Sequence, residues 1–187
     1  MGFVRLELGV TIDEEHTLFL TGLPFQFDSY GTIEEDLEFD GETFAAGSFV
    51  RTSFRFNSWR LTYRWDGADL GDTIDFGVGF TAKIRDAEVS VETANQKAAF
   101  DNIGFVPLVH LYLRWAALPG FGLLTVGDGL AGGPGRAFDF FLGIWGQLAA
   151  DVWIRGGWRF LDGGADNETV YNFNLVHFAA AAIVIEW

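Results

Sequence analysis

Arginine, aspartate and asparagine side chains that could bind a polar ligand recur along the sequence. A guanidinium pairs with a carboxylate or phosphate through two parallel hydrogen bonds, and neighbouring carboxylates and amides can orient the bound group. These residue types predict a polar ligand-binding set inside the fold. Its members are Arg60, Arg64, Arg85, Arg136, Asp139, Arg159, Asp166, Asn167 and Asn172.

Two interpretations of this set stay open. Charges in a narrow protein interior must be paired or hydrated, so the set is consistent with a structural network of salt bridges and hydrogen bonds. The alternative is a site for an anionic ligand, formed by Arg85, Arg136 and the glycine-rich segment Gly163–Asn167. Backbone N–H groups of such a segment can approach an anion closely.

The sequence contains no nucleophile, zinc or nucleotide-binding motif. His16, His110 and His177 are far apart and have no metal-ligand spacing. The glycines of Gly127–Gly135 lack the lysine and hydroxyl residue of a phosphate loop, so we predict a flexible loop there. We therefore predict no catalytic residue, no metal and no cofactor. A membrane-embedded lipid-modifying enzyme that uses His110 or His177 is kept as an alternative.

The composition limits the class of protein. The 187 residues suit a single domain, 1–187, and a chain without cysteine forms no disulfides and has no thiolate chemistry. A formal net charge of −14 argues against a nucleic-acid partner, which needs clustered lysine and arginine. No apolar run approaches the roughly 20 residues of a membrane-spanning helix.

Apolar and polar residues alternate with the period of a β-strand. In Trp59–Trp65 every odd-numbered residue is large and apolar and every even-numbered residue is polar, and Ile74–Arg85 repeats the pattern. One face of these strands is rich in aromatic residues, and the other carries Gly, Thr, Asn and Arg. Bulky aromatic side chains suit a lipid-facing wall, and small polar ones suit a narrow wet interior. A soluble lipocalin-like ligand-binding barrel is an alternative.

The predicted fold is therefore all-β: a closed, antiparallel, up-and-down transmembrane β-barrel of about 8–10 strands. Short and longer connections alternate along the chain, as expected for a barrel threaded through a membrane. The number of predicted segments is odd, whereas bacterial single-chain barrels usually have even counts, so we expect a further strand before Gly2. The segments are 3–12, 17–28, 47–65, 73–92, 99–117, 121–128, 136–149, 152–163 and 168–187.

Several stretches resemble a poorly characterised family of bacterial outer-membrane β-barrel proteins, from about His16 to the end of the chain. The resemblance implies the barrel fold and the location, and it implies no activity. The last strand ends at Trp187 with apolar residues at alternate positions before it, which resembles the signal read by the outer-membrane assembly machinery. The similar stretches are Phe56–Trp65, Thr81–Ala87, Gly104–Leu108, Gly135–Asp139, Gly163–Asn167 and Val170–Phe173.

We therefore expect a small barrel of the bacterial outer membrane with a polar, largely plugged lumen and a structural or ligand-binding role. A narrow channel or porin for small solutes is an alternative, although side chains largely fill a barrel of about eight strands. The expected partners are membrane lipids or lipopolysaccharide and the assembly machinery. The chain begins without a signal peptide, so we expect a leader to have been removed before Met1.

Overall fold

The structure, a computed structural model, describes residues 2–132, 135–166 and 171–187. Every regular secondary-structure element in these ranges is a β-strand, so the prediction of an all-β antiparallel fold is confirmed. Within the described part, no helix is long and apolar enough to cross a membrane. The strands are β1 (Leu6–Ile12), β2 (His16–Leu23), β3 (Gln26–Thr32), β4 (Leu37–Phe39), β5 (Glu42–Phe44), β6 (Phe49–Asp69), β7 (Ile74–Glu92), β8 (Lys97–Leu118), β9 (Phe121–Gly132), β10 (Gly135–Ala149), β11 (Val152–Asp166) and β12 (Tyr171–Ile185).

Ten of these strands form one sheet, in the order β1-β2-β6-β7-β8-β9-β10-β11-β12, with β3 also paired to β6. β2 and β3 follow each other and are separated at Pro24, which has no N–H to donate to a ladder. Each of the nine predicted segments corresponds to a strand on this path, with β2 and β3 sharing one segment. β4 and β5 pair only with each other and lie within the connection 33–48.

Two predictions about connections are wrong. The described residues of the glycine-rich segment expected to be a loop lie within strands, since Gly127–Gly132 belongs to β9 and Gly135 begins β10. The rings of Phe138 and Phe140 lie directly across the ladder from Gly129 and Gly127 and cover them. Aromatic residues opposite glycine support a strand that glycine alone would weaken.

The expected alternation of short and longer connections is also wrong. Among the connections that the structure describes, 33–48 is long, whereas 93–96 is as short as 70–73. The cause is that β8 begins at Lys97, two residues before its predicted segment, while β7 ends at Glu92 as predicted. The N–H of Thr93 donates to the carbonyl of Gln96 and closes the turn. The length of a connection therefore does not distinguish the two ends of the strands.

The chain divides into two compact units. The first contains Met1–Leu8, Leu20–Arg60 and Lys83–Val106, and the second contains Gly9–Phe19, Leu61–Ala82 and Pro107–Trp187. Because the strands are long, several of them contribute residues to both units.

The second unit exposes apolar side chains on one face and buries polar ones on the other. The exposed side, called the apolar face, carries Leu61, Tyr63, Trp65, Phe80, Leu111, Leu113, Trp115, Leu123, Leu142, Ile144 and Trp158. The opposite side, called the buried face, carries Thr62, Arg64, Thr81, His110, Tyr112, Leu124, Asp128, Asp139, Phe141, Trp145 and Arg159. This is the reverse of a water-soluble sheet, in which apolar side chains are buried.

The first unit contains a group of packed phenylalanine side chains. Phe27 and Phe54 are register partners on β3 and β6, and their rings lie 5.2 Å apart between centroids. Phe3 packs edge-on against Phe25, also at 5.2 Å, and Phe56 stacks on Phe54. These five phenylalanines are called the aromatic cluster.

The opposite side of the first unit is polar. Arg55 forms ion pairs with Asp86 at 3.1 Å and Glu88 at 3.0 Å, and Asn57 donates to Asp86 at 3.2 Å. Along β6 the odd-numbered residues are thus polar from Arg51 to Asn57 and apolar from Trp59 to Trp65. The pattern of side-chain polarity reverses within a single strand.

The acidic connection 33–48 packs onto strands of the first unit, to which it belongs, through its apolar residues. Phe44 is 1% exposed and forms a core with Val50, Val91 and Ala98. Ile33, Leu37 and Phe39 pack against this core, while the acidic side chains of the connection stay in contact with solvent. Burial of these apolar residues accounts for a folded hairpin in a segment with so many like charges.

The turn between β1 and β2 contains two residues with positive φ, Asp13 at 53° and Glu14 at 61°. A left-handed conformation costs roughly 1–2 kcal/mol for an L-residue other than glycine. Glu14→Gly should therefore raise the free energy of unfolding by about 0.5–1 kcal/mol, after allowing for the greater chain entropy of glycine. Denaturant titration checks this, and Glu15→Gly, one residue outside the strained pair, should give no gain.

Gly79 of β7 lies where a side chain cannot fit. A Cβ atom added there would collide with the backbone carbonyl of Tyr63 on β6. Gly79→Ala should destabilise the fold by about 1–3 kcal/mol through overpacking. Gly156→Ala on β11 is the matched control, because nothing lies within 4 Å of the Cβ position there. Equal stability of the two variants would contradict the close approach of β6 and β7.

Candidate functional site

A buried ion pair joins β10 and β11 on the buried face of the second unit. Nε and Nη2 of Arg159 donate to the two carboxylate oxygens of Asp139 at 2.6 and 2.8 Å. The side chain of Asp139 is 3% exposed and that of Arg159 is 17% exposed. A bidentate pair of this kind fixes the orientation of both side chains. The structure thus brings together two of the residues predicted for the binding set.

A second polar group on the buried face links β6, β7, β8 and β9. Nδ1 of His110 donates to Oδ1 of Asp128 at 2.8 Å, and the Thr81 hydroxyl donates to the same oxygen at 2.7 Å. Thr62 lies 2.7 Å from Thr81. Since the Thr81 proton is used toward Asp128, Thr62 must donate to Thr81. The Nε2 atom of His110 is buried and has no hydrogen-bond partner among the described residues.

Arg64 lies between two aromatic rings on the same face. Its guanidinium carbon is 3.9 Å from the centroid of Tyr112 and 4.9 Å from that of Phe19. Its Nε atom also pairs with Asp66 at 2.8 Å. The three contacts hold the cation across β2, β6 and β8, so Arg64 fills space as well as carrying charge.

Apolar side chains fill the remainder of the buried face. Tyr112, Leu124, Phe141 and Trp145 form a core with strands β8, β9 and β10 as its walls, and Ala180 of β12 packs against it. These side chains pack against one another within the second unit. The polar groups described above therefore sit in a packed environment and not along an open surface.

The remaining predicted arginines of the central strands belong to the first unit. Arg60 is 2% exposed, and its Nε atom donates to Oγ of Ser58 at 3.2 Å. Arg85 donates from Nη2 to the side-chain oxygen of Asn102. Both side chains thus make hydrogen bonds within the protein, as a structural network requires.

A further pair of charges in the first unit lies at the solvent-exposed surface. Arg51 donates to a carboxylate oxygen of Asp28 at 2.8 Å. The hydrogen bonds from Arg51 and Ser53 hold the pKa of Asp28 below its usual value, with the positive charge of Arg51 adding to the effect. An exposed pair is screened by water, so it contributes little to stability.

The placement of Arg136 in the interior set is wrong. Its neighbour Phe138 shares an alternation with Phe140 and Leu142, so Arg136 lies on the same side as the apolar face. There it pairs with Asp162 at 2.9 Å and lies 4.9 Å from the centroid of Phe173. An arginine can occupy such a position because its stem packs on an aromatic ring while its guanidinium stays hydrated and paired.

Three predicted residues are placed only in part. Asp166 ends β11 and Asn172 lies near the start of β12, directly across the ladder from Ala165. Asn167 lies outside the described residues. Arg85 belongs to the first unit and Arg136 to the second, so the anion site of Arg85, Arg136 and the segment 163–167 stays a prediction.

Sequence reasoning missed most of the His110 group. Thr62 and Thr81 occupy polar positions of recognised alternating segments, but hydroxyl residues were not considered as members of a network. Asp128 was assigned to the start of a loop. The register of β8 and β9, which sets His110 opposite Asp128, is a long-range pairing that no local pattern shows.

No protein-family model, curated protein or solved structure matches this chain.

Proposed function

We propose that the chain is a small β-barrel of the bacterial outer membrane, with a polar lumen that side chains plug and a structural or ligand-binding role. The observation that carries the proposal is the reversed polarity of the second unit. Many of its large aromatic and aliphatic side chains are exposed, while Thr62, Thr81, His110, Asp128 and Asp139 are buried. A bilayer stabilises this arrangement, whereas water would not.

The length of the apolar pattern supports a membrane span. A spanning β-strand needs about 9–11 residues. The outward apolar positions run from Ile74 to Ile84 on β7 and from Phe105 to Trp115 on β8. On β7 the next residues of the same alternation are Asp86 and Glu88, which marks the edge of the hydrocarbon. In this proposal the sheet closes, and the polar side of the first unit contacts water and lipopolysaccharide headgroups.

The membrane proposal predicts dependence on detergent. We expect the purified chain to be monodisperse in detergent micelles or lipid nanodiscs and to aggregate when detergent is removed, because of the exposed apolar face. Size-exclusion chromatography with light scattering measures this. A monodisperse protein in buffer without detergent would favour a soluble lipocalin-like barrel instead.

The plugged interior predicts an absence of conductance. The cation of Arg64 between two rings, the Asp139–Arg159 pair and the core around Tyr112 occupy the buried face. We expect no stable openings in planar lipid bilayers. Reproducible single-channel openings from purified protein would instead support the narrow-channel alternative.

A further inference from the structure

Arg85 of β7 carries a charge that no acid in the described part of the chain neutralises. Its Nη2 atom donates to the side-chain oxygen of Asn102 on β8, which is the single hydrogen bond that the guanidinium makes with described residues. Its Nε atom is buried and has no hydrogen-bond partner among them. The guanidinium lies over Gly104, where a Cβ atom would come within 3.2 Å of Nη2. A guanidinium has five N–H donors, so most of its capacity to bind an acceptor is unused.

Arg85 belongs to the side of the first unit that carries the aromatic cluster. Lys83 lies two residues earlier on β7 and therefore shares the face of Arg85. Its Nζ atom lies 5.4 Å from the ring centroid of Phe56, a member of the cluster. Asp86 and Glu88 belong to the polar side, where both pair with an arginine of β6. Two cations of β7 thus lie on the aromatic side, and the two acids that follow them lie on the other.

The aromatic cluster is packed but not buried, since each of its five rings is half-buried. The centroids of Phe27 and Phe54 are 5.2 Å apart, and Phe54 and Phe56 stack at 6.1 Å with an angle of 3° between their planes. Phe44, in the core of the same unit, is by contrast 1% exposed. The cluster therefore offers aromatic surface on which one more ring can pack.

We propose that Arg85 and the aromatic cluster form a binding site for a small aromatic carboxylate. The carboxylate accepts parallel hydrogen bonds from the guanidinium, and the ring of the ligand packs on the phenylalanine rings. Lys83 adds a second positive charge beside Phe56. The inference rests on the ligand-binding role proposed above and names the class of ligand. It uses residues of the first unit alone and does not depend on the membrane location.

The chemistry of the site favours this class over other ligands. One unneutralised guanidinium matches a monoanion, and its planar fork matches the two oxygens of a carboxylate. Inorganic anions have no apolar surface to place on the half-buried rings. A cationic ligand would be repelled by Arg85 and Lys83, which both carry positive charge.

Fluorine NMR of 4-fluorobenzoate, titrated with the purified full chain in detergent micelles, tests the site. Empty micelles correct for partitioning of the ligand into detergent. We expect saturable binding below about 10 mM, the range of a weak small-molecule complex. The uncharged analogue 4-fluorobenzyl alcohol keeps the ring and loses the charge, so we expect it to bind at least about tenfold more weakly. This comparison uses the parent protein and needs no variant to fold.

Two matched variants locate the binding. Arg85→Gln removes the charge and keeps an N–H donor for Asn102, and we expect it to weaken 4-fluorobenzoate binding about tenfold. Arg51→Gln makes the same change on the polar side, and we expect unchanged affinity because Arg51 pairs with Asp28 there. Phe56→Leu should weaken the acid by about two- to tenfold, since it removes an aromatic contact and keeps an apolar side chain.

The outcomes separate this site from the proposed function. Equal affinity for the acid and the alcohol, no saturable binding to the parent protein, or an equal effect of Arg85→Gln and Arg51→Gln would each overturn the site. Displacement of the acid by acetate or inorganic phosphate at equal concentration would overturn the aromatic class and leave a ligand-binding role in place. Dependence on detergent is measured independently, so a failure of the membrane location would not be mistaken for a failure of this site.

Discussion

Replacing Leu111 by arginine is expected to destabilise the folded protein in lipid by about 2–4 kcal/mol, since a cation near the bilayer midplane loses hydration. Leu111 is 51% exposed on the apolar face of β8, near the middle of the apolar positions between Phe105 and Trp115. In water the same substitution at an exposed site changes stability by less than about 0.5 kcal/mol. Denaturant unfolding in lipid vesicles, followed by tryptophan fluorescence, measures the difference.

Phe49→Arg is the matched control. Phe49 is 64% exposed, but it lies at the polar end of β6, two residues from Arg51. We expect its free energy of unfolding to stay within about 0.5 kcal/mol of the parent protein. If Leu111→Arg is equally neutral, the apolar face does not contact lipid and the membrane proposal is wrong.

Arg159→Leu is expected to lower the free energy of unfolding by about 3–5 kcal/mol, because it removes the bidentate partner of a buried carboxylate. The carboxylate of Asp139 accepts both hydrogen bonds from Arg159 and is almost completely buried. Removing the charge as well, in the double variant Asp139→Leu with Arg159→Leu, should recover most of the loss. A buried ion pair replaced by packed apolar groups is often close to neutral.

A double-mutant cycle measures this coupling from the four free energies of unfolding. The control is Arg51→Leu, whose partner Asp28 belongs to an exposed pair, and we expect a change there of at most about 1 kcal/mol. A double variant as unstable as Arg159→Leu alone would show that the stabilisation does not come from the pair. A binding role that needs both charges would then be the better explanation for their burial.

The strands were predictable because alternation is a local signal. β6, β7 and β8 carry long runs of period two, and each of these strands begins and ends within about four residues of its predicted segment. The β4–β5 hairpin was not predicted, although Asp40 and Gly41 both adopt positive φ and form a typical two-residue hairpin turn. Its strands are too short to show a period, and their stability comes from Phe44 packing on distant residues.

The candidate site was predictable only in part. The alternation of residues in β11 placed Arg159 on the face of the sheet opposite to Trp158, which is where it lies. Arg136 was misplaced because its charge was weighed above the alternation of Phe138 and Phe140, which places it on the opposite side. His110 and Asp128 meet through the register of β8 with β9, and register depends on the whole sheet and not on a local pattern.

The reversal of polarity within β6 and β7 bears on the kinetics of assembly. If the polar side of the first unit contacts lipopolysaccharide headgroups, as proposed, then Asp86, Glu88 and the acidic connection 33–48 must cross the hydrocarbon before the strands reach their final depth. That passage carries charges without their hydration, so we expect it to be the slow step of insertion. Once across, Phe44 docks on Val50 and Val91 and the polar residues regain water. Withdrawing the strands from the membrane would separate Phe44 from Val50 and Val91 and would dehydrate the polar residues again. The folded hairpin therefore opposes withdrawal and makes insertion effectively irreversible.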